Sequence, residues 1–354
     1  MIKYLGSKRR LVPVLSEMLE RSGARSALDL FTGTTRVAQA FKRLGAEVTA
    51  LDRTRCAWTL ARCYVETDAE QVDHRELESV VASLNALGGE PGYFTDTFCV
   101  RSRFFQPHNG ARIDAVREAI LTDHRESPIE PLLLTSLIEA ADRVDSTTGV
   151  QMAYVKQWSE RSYRPLELRV PELMTGPGRA VRGDAIELAG SLGEFDLAYL
   201  DPPYNQHRYD SNYHIWETLV AWDAPAHYGV ACKRVDLRDC PRSAFNSRST
   251  MAGALARVIS DVHARLLVLS YNDESFCDLA DLVEMCELRG HAEVLAFESN
   301  RYVGARIGIY DPSGKRVGKV GRLRNLEYLV VSGDRAEVRH VTAPWRDSAC
   351  VAAS

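Results

Sequence analysis

Residues 26–52 read SALDLFTGTTRVAQAFKRLGAEVTALD, and the reading of this stretch decides the fold. SALDLF is a short apolar run of strand type. Thr32-Gly33-Thr34-Thr35 follows as a turn, then a helical pattern runs through VAQAFKRLG, with Gly45 where a helix C-terminus would end. AEVTALD places Val48, Ala50 and Leu51 ahead of Asp52. Strand, turn, helix, strand is the opening of a Rossmann-like βαβ unit. A second helix is expected over 54–65.

Outward from this unit the pattern changes and then returns. Residues 68–179 contain helical stretches at 75–87, 111–122 and 132–144 and no convincing buried strand. They end in RSYRPLELRVPELMTGPGR, rich in Pro, Gly and Arg, as a domain boundary would be. Strand character resumes in RAVRGDA and in EFDLAYLDPPY, where FDLAYL reads as a buried parallel strand ending at Asp201. A helix is expected over 250–262, then the strand ARLLVLSYN, a helix around 276–289, and the apolar segments AEVLAFES and NLEYLVVSG. The expected fold class is α/β, with a Rossmann-like sheet interrupted by a mainly helical insertion. Residues 1–67 and 180–335 would form the sheet domain, 68–179 the insertion, and 336–354 a weakly patterned tail.

The chain has 354 residues, 45% hydrophobic and 26% charged, an ordinary globular balance with length enough for a real core. No run of about 18 apolar residues appears, so no membrane partner is expected. The basic start MIKYLGSKRRLVPVL has its apolar patch broken by Pro13, unlike a secretory signal. Eight cysteines occur with no C-x-x-C pair, so no metal site is expected, and free thiols suit a reducing cytoplasm. The formal net charge of −4 does not favour a nucleic-acid partner, but phosphate binding needs only a locally basic face.

Three short motifs carry chemistry. Asp201-Pro202-Pro203-Tyr204 ends the FDLAYL strand, and ligands of open α/β sheets sit at the carboxyl ends of strands. The prolines fix φ and remove backbone donors, leaving carbonyls to accept. Asp201 adds a carboxylate acceptor and Tyr204 a flat aromatic face, which suits a planar amino group. Read alone, the four residues also fit a Pro-rich turn with Asp201 exposed. Asp29-Leu30-Phe31-Thr32-Gly33 puts a glycine after the first strand, where backbone can approach a ligand, and a helix N-terminus beyond it. Asp52, at the end of the next strand, is placed as an acceptor for ribose hydroxyls. Lys3-Tyr4-Leu5-Gly6-Ser7-Lys8 is a basic, glycine-containing start.

In this order the motifs resemble those of the D12-class, Dam-like adenine-specific DNA methyltransferases, and most closely the subgroup of the FokI methyltransferase. Asn205 to Thr218, NQHRYDSNYHIWET, is similar to that subgroup's stretch after the catalytic motif. FCVRSRFFQPHNGARIDAVR, LIEAADRVDSTTGVQMAY and LLVLSYNDE extend the resemblance over most of residues 3–331. It implies transfer of a methyl group from S-adenosylmethionine to the N6 amino group of a flipped adenine in double-stranded DNA. Asp201, Pro202, Pro203 and Tyr204 would be catalytic. Tyr4, Lys8, Asp29, Phe31, Gly33, Asp52 and Asp184 would bind the cofactor, with an N-cap role as the alternative for Asp184. The insertion would be a target-recognition region. Asn205, His207, Arg208, Arg234, Arg238 and Arg161 would face DNA, with capping or structural roles as alternatives for His207 and for residues 212–214. A cognate restriction endonuclease or defence-system components are the partners this class suggests. The family's glycine loop often reads D-x-F-x-G-x-G, and here Thr35 takes the last position. Cytosine N4, adenine in RNA, and a catalytically silent DNA-binding regulator stay open as alternative readings.

Overall fold

A computed structural model describes residues 2–3, 8–152, 154–155, 157–206, 208–240, 242–300, 309–310, 316–318 and 324–346, with the backbone alone for 299–300, 309–310, 316–318 and 324. The strands among them are β1 (Ser26–Asp29), β2 (Glu47–Asp52), β3 (Gly178–Arg182), β4 (Glu194–Leu200), β5 (His227–Tyr228), β6 (Lys233–Arg234), β7 (His263–Asn272), β8 (His291–Asn300), β9 (Ile309–Tyr310), β10 (Arg316–Gly318) and β11 (Arg324–Gly333). The chain divides into two compact units.

One unit comprises Arg10–Phe31, Asp184–His207 and Arg242–Ser354. Its strands lie in the order β1-β4-β7-β11-β8. β1 pairs parallel with β4, Asp29 opposite Tyr199, and β4 pairs parallel with β7, Leu200 opposite Leu269. β11 runs antiparallel to both β7 and β8. The apolar runs explain these positions. Leu197–Leu200 of β4 and Leu266–Leu269 of β7 are buried without alternation, as strands covered on both faces require. Each such leucine contributes about 1.5–3 kcal/mol by leaving water. The helix Met251–Asp261 buries Met251, Ala254, Leu255, Val258 and Ile259, a stripe at helical spacing.

The end of the chain departs from the expected tail. Arg335–Thr342 is a helix, capped by Asp334, whose carboxylate accepts from Ala336 N (2.9 Å) and Glu337 N (3.2 Å). Val338 and Val341 are buried beneath it. Two valines three residues apart are too short a pattern to stand out in sequence, yet they bury a full helix face.

The other unit comprises Met1–Arg9, Thr32–Gly183 and Arg208–Pro241. β2 and β3 pair in parallel, Asp52 opposite Arg182, and β5 and β6 form a small antiparallel pair. The helices His74–Ala86, Pro107–His124 and Glu130–Val144 fall where helical periodicity puts them. Residues 68–177 contain no strand among the described residues. These helices share their core with residues on both sides of the insertion. Phe94, Phe98, Phe104, Phe105 and Leu137 share one hydrophobic core with Leu60 and Tyr64 on one side of the insertion and Ile215, Trp216 and Leu219 on the other. The insertion leaves and returns at one stem: Ala69 N donates to Met174 O (3.0 Å), and Lys42 Nζ donates to Val65 O (2.6 Å) and Thr67 O (2.7 Å). Gly178 is required there, because a Cβ would meet Val65 O at 2.2 Å.

Candidate active site

In the first unit, the parallel pairing of β1 and β4 sets the place of the Asp201 loop. Leu30 N donates to Tyr199 O (3.0 Å), so the strands end together, with Asp29 buried at the end of one and Asp201 one residue beyond the other. Pro202 is buried, while Asp201, Pro203 and Tyr204 are half-buried. The loop is held by its main chain. Phe276 N donates to Tyr204 O (3.1 Å), and Asn246 Nδ2 donates to Asn205 O (2.8 Å). The Tyr204 ring meets Tyr271 edge-on at 6.0 Å between centroids. Phe31 packs edge-on against Phe245 at 5.2 Å. The turn Ala244–Asn246 therefore supports both Phe31 and the loop, a role no local pattern in RSAFNSR announces. Asp184 caps the helix Ala185–Leu188, accepting from Ile186 N (2.9 Å), which is the alternative weighed for it in the sequence.

In the second unit, the glycine loop folds around Asp52. Thr32 N donates to Leu51 O (3.0 Å) and Gly33, at φ +51°, donates its N–H to Asp52 Oδ2 (3.0 Å). Thr54 donates both N–H (2.9 Å) and hydroxyl (2.8 Å) to Asp52 Oδ1. Burial pushes the Asp52 carboxyl above its ordinary range against the opposing pull of these donors. Thr35 stands at φ +61°, the left-handed region where a glycine would cost nothing. For a β-branched residue this conformation costs about 1–2 kcal/mol. Its buried hydroxyl offsets part of that cost by donating to Thr34 O (2.7 Å) and accepting from Gln39 Nε2 (2.8 Å). The backbone keeps the glycine's shape while the side chain is spent inside the protein. Lys8 is buried at the start of a short turn, Lys8–Arg10. Tyr4 lies outside the described residues.

The residues expected to face DNA separate into two kinds. Arg234 is 6% exposed and forks onto Asp223 (2.7 and 2.6 Å) and Asp236 (3.0 and 2.8 Å). Burial alone would lower its pKa, but the two carboxylates outweigh burial and hold it above the ordinary value. Arg161 Nη2 pairs with the buried Asp145 and donates to Thr147 O (2.8 Å), and its Nε donates to Asp145 O (2.7 Å). Both arginines, expected to face DNA, are engaged by carboxylates of the protein itself: Asp145 lies 16 residues before Arg161, and Asp223 and Asp236 lie 11 residues before and 2 after Arg234. Arg208 pairs with Asp210 at 2.9 Å. Arg238 is exposed and stacks over Tyr228 at 5.5 Å. His207 lies outside the described residues.

The segment after the loop is equally instructive. His214 is fully buried and bonded through Nε2 to Gln151 O (3.0 Å); burial drops its pKa to about 3, so it is neutral. Glu217 accepts from Cys56 N (2.8 Å) and Arg55 N (3.2 Å). In the insertion, Asp114 accepts from the N–H groups of Gly92, Phe94 and Thr95 and from the Thr95 hydroxyl (2.6–2.9 Å). Among the described residues, no group of three His, Cys, Asp or Glu side chains is arranged to hold a metal, and no helix is long and apolar enough to cross a membrane.

A family model described as D12 class N6 adenine-specific DNA methyltransferase matches residues 4–285. The chain is 28% identical over 316 residues to the Type II methyltransferase M.NlaIII of Neisseria lactamica, covering 85% of this chain and 92% of that protein. It is 27% identical to the modification methylase StsI of Streptococcus sanguinis, covering 80% of this chain and 46% of that one. It is 28% identical to the Type II methyltransferase M.FokI of Planomicrobium okeanokoites, covering 77% and 45%. The chain therefore spans nearly all of the first relative and about half the length of the other two.

Proposed function

We propose, from the premise that this chain belongs to the D12 class of N6 adenine-specific DNA methyltransferases, that its Asp201–Tyr204 loop receives an adenine flipped from duplex DNA and methylates N6 with S-adenosylmethionine. The observation that carries this reading is the loop itself: a carboxylate, two proline-flanked carbonyls and an aromatic ring at the carboxyl end of a parallel strand, braced by Phe276 and Asn246.

A stacked adenine cannot present its amino group to such a loop, so the base must leave the helix. Tyr204 then offers its face to the base. Asp201 and the Pro202 carbonyl accept hydrogen bonds from the amino group. Those bonds draw the nitrogen lone pair out of ring conjugation and raise its nucleophilicity. A carboxylate with pKa near ~4 is too weak a base to deprotonate the neutral amine first, so the proton leaves N6 after the new bond forms. Positioning and preorganised electrostatics supply the rate.

The residues present fit the cofactor. Thr54 takes up Asp52 Oδ1, whereas Oδ2, which accepts the Gly33 N–H, retains an acceptor position that suits a ribose hydroxyl. Gly33 and Thr35 in left-handed conformations open a bend ahead of the helix Arg36–Arg43, and Lys8 suits a carboxylate. S-adenosylmethionine, when bound, supplies a sulfonium-activated methyl group. Asp29, Phe31 and Asp184 complete the set of residues we assign to it. Arg238, Arg208 and Asn205 are assigned to DNA. The cognate partner is a restriction endonuclease reading the same site, in keeping with the Type II relatives, and the working compartment is the cytoplasm.

The test is methylation of unmodified duplex DNA with isotopically labelled S-adenosylmethionine, followed by nucleoside analysis. N6-methyladenine, lost in Asp201→Ala with cofactor binding retained, is the expected result. Label in N4-methylcytosine, in RNA alone, or unchanged in the variant sinks the reading.

A further inference from the structure

Glu217 belongs to the NYH-x-x-E-T stretch, yet the reaction as described leaves it without a task. It projects from the helix His214–Ala221 to the start of the helix Arg55–Ala61. There its two oxygens take the first two N–H groups, those of Arg55 and Cys56, which have no partner within the helix. The next N–H, of Ala57, goes to Thr54 Oγ1 (3.3 Å). Thr54 in turn gives its own N–H and hydroxyl to Asp52 Oδ1. The order is continuous: Glu217 holds the helix start, the helix start holds Thr54, and Thr54 orients Asp52. A small cavity lined by Gly33, Thr34, Thr54, Cys56, Trp216 and Glu217 adjoins the same atoms.

We infer that Glu217 is a positioning residue for cofactor binding, acting through Thr54 on the Asp52 carboxylate; this rests on Asp52 being the ribose acceptor. A glutamate of the segment that follows the catalytic loop thereby shapes the far end of the cofactor site, although it is separated in sequence from Asp52 by the whole insertion. A purely structural cap would lower thermal stability and leave cofactor affinity and turnover falling together with the folded fraction. A positioning residue acts on the cofactor specifically.

The experiment uses the full chain, titrating S-adenosylmethionine by calorimetry and in steady-state methylation. Glu217→Ala should weaken cofactor binding about tenfold and raise the cofactor KM, with kcat changed less than about threefold. Glu217→Gln keeps one carbonyl acceptor and should restore at least half of the loss on a logarithmic scale. In an Asp52→Ala background Glu217→Ala should add nothing, because both act on one contact. A Glu217→Ala penalty that persists in full in that background, or that falls on kcat, overturns the proposal. Should the alanine variant melt below the assay temperature, Glu217→Gln in both backgrounds reads the same coupling. Unchanged cofactor affinity in Asp52→Ala alone overturns the ribose assignment instead, so the two failures are distinct.

Discussion

Residues 201–205 and 209–218 adjoin in sequence and are held in opposite ways. In the first stretch the protein grips the main chain: the carbonyls of Tyr204 and Asn205 accept from Phe276 and Asn246, while Asp201, Pro203 and Tyr204 stay half-exposed. In the second it grips the side chains: His214 is sealed among Phe98, Phe104 and Gln151, Glu217 is spent on two N–H groups, and Asn212 and Thr218 are buried. The same division separates the arginines, with Arg234 forked between two carboxylates and Arg238 on the surface. In the first stretch the polar side chains stay half-exposed while the fold secures the backbone. Where the fold consumes the side chain itself, the residue is architecture.

Five substitutions sharpen or break this contrast. Asp201→Ala should cost about 10³-fold in methyl transfer, on the order of 4 kcal/mol of transition-state stabilisation, while cofactor affinity moves less than about threefold; loss of cofactor binding in equal measure would remove the loop from catalysis. Asp114→Ala strands the buried N–H groups of Phe94 and Thr95 and the Thr95 hydroxyl and should lower unfolding free energy by about 3 kcal/mol, read in urea, with kcat per folded molecule unchanged.

His214 makes a pH prediction. Its folded pKa lies well below the unfolded value near ~6.5, so the unfolded chain binds the extra proton and stability falls as pH drops from about 6.5 toward about 3. The slope is about 1.4 kcal/mol per pH unit, roughly 2 kcal/mol by pH 5. His214→Gln should flatten the curve in that window. An unaltered slope means that His214 is not the group responsible. Smallest is Arg238→Ala, which should weaken DNA binding a few-fold and reduce the salt slope by about 1, whereas Arg234→Met should cost stability instead. A larger DNA-binding loss from Arg234→Met than from Arg238→Ala would reverse the assignment.

Much of this was legible along the chain. β1, β2, β4 and β7 announce themselves as apolar runs, and the long helices of the insertion by periodicity, because local spacing is what burial acts on. Three things were hidden. The insertion shares its core with residues on both flanks, because Phe94, Leu60 and Trp216 meet across long sequence separations. The C-terminal helix rests on two valines and a capping aspartate, too brief for periodicity. The ion pairs of Arg161 with Asp145 and of Arg234 with Asp223 were also hidden, because those acids lie 16 and 11 residues back along the chain, although Asp236 sits only two residues beyond Arg234.

The order of the motifs, the strand that ends in Asp201-Pro202-Pro203-Tyr204 and the family were determined by sequence alone, since each is a matter of residue type at fixed spacing. Which acids and arginines remain for chemistry was decided only by the tertiary structure. Asp236 and Asp210 stand two residues from Arg234 and Arg208, but burial of Arg234 and its second carboxylate, Asp223, come from how the chain turns back on itself, which spacing does not record.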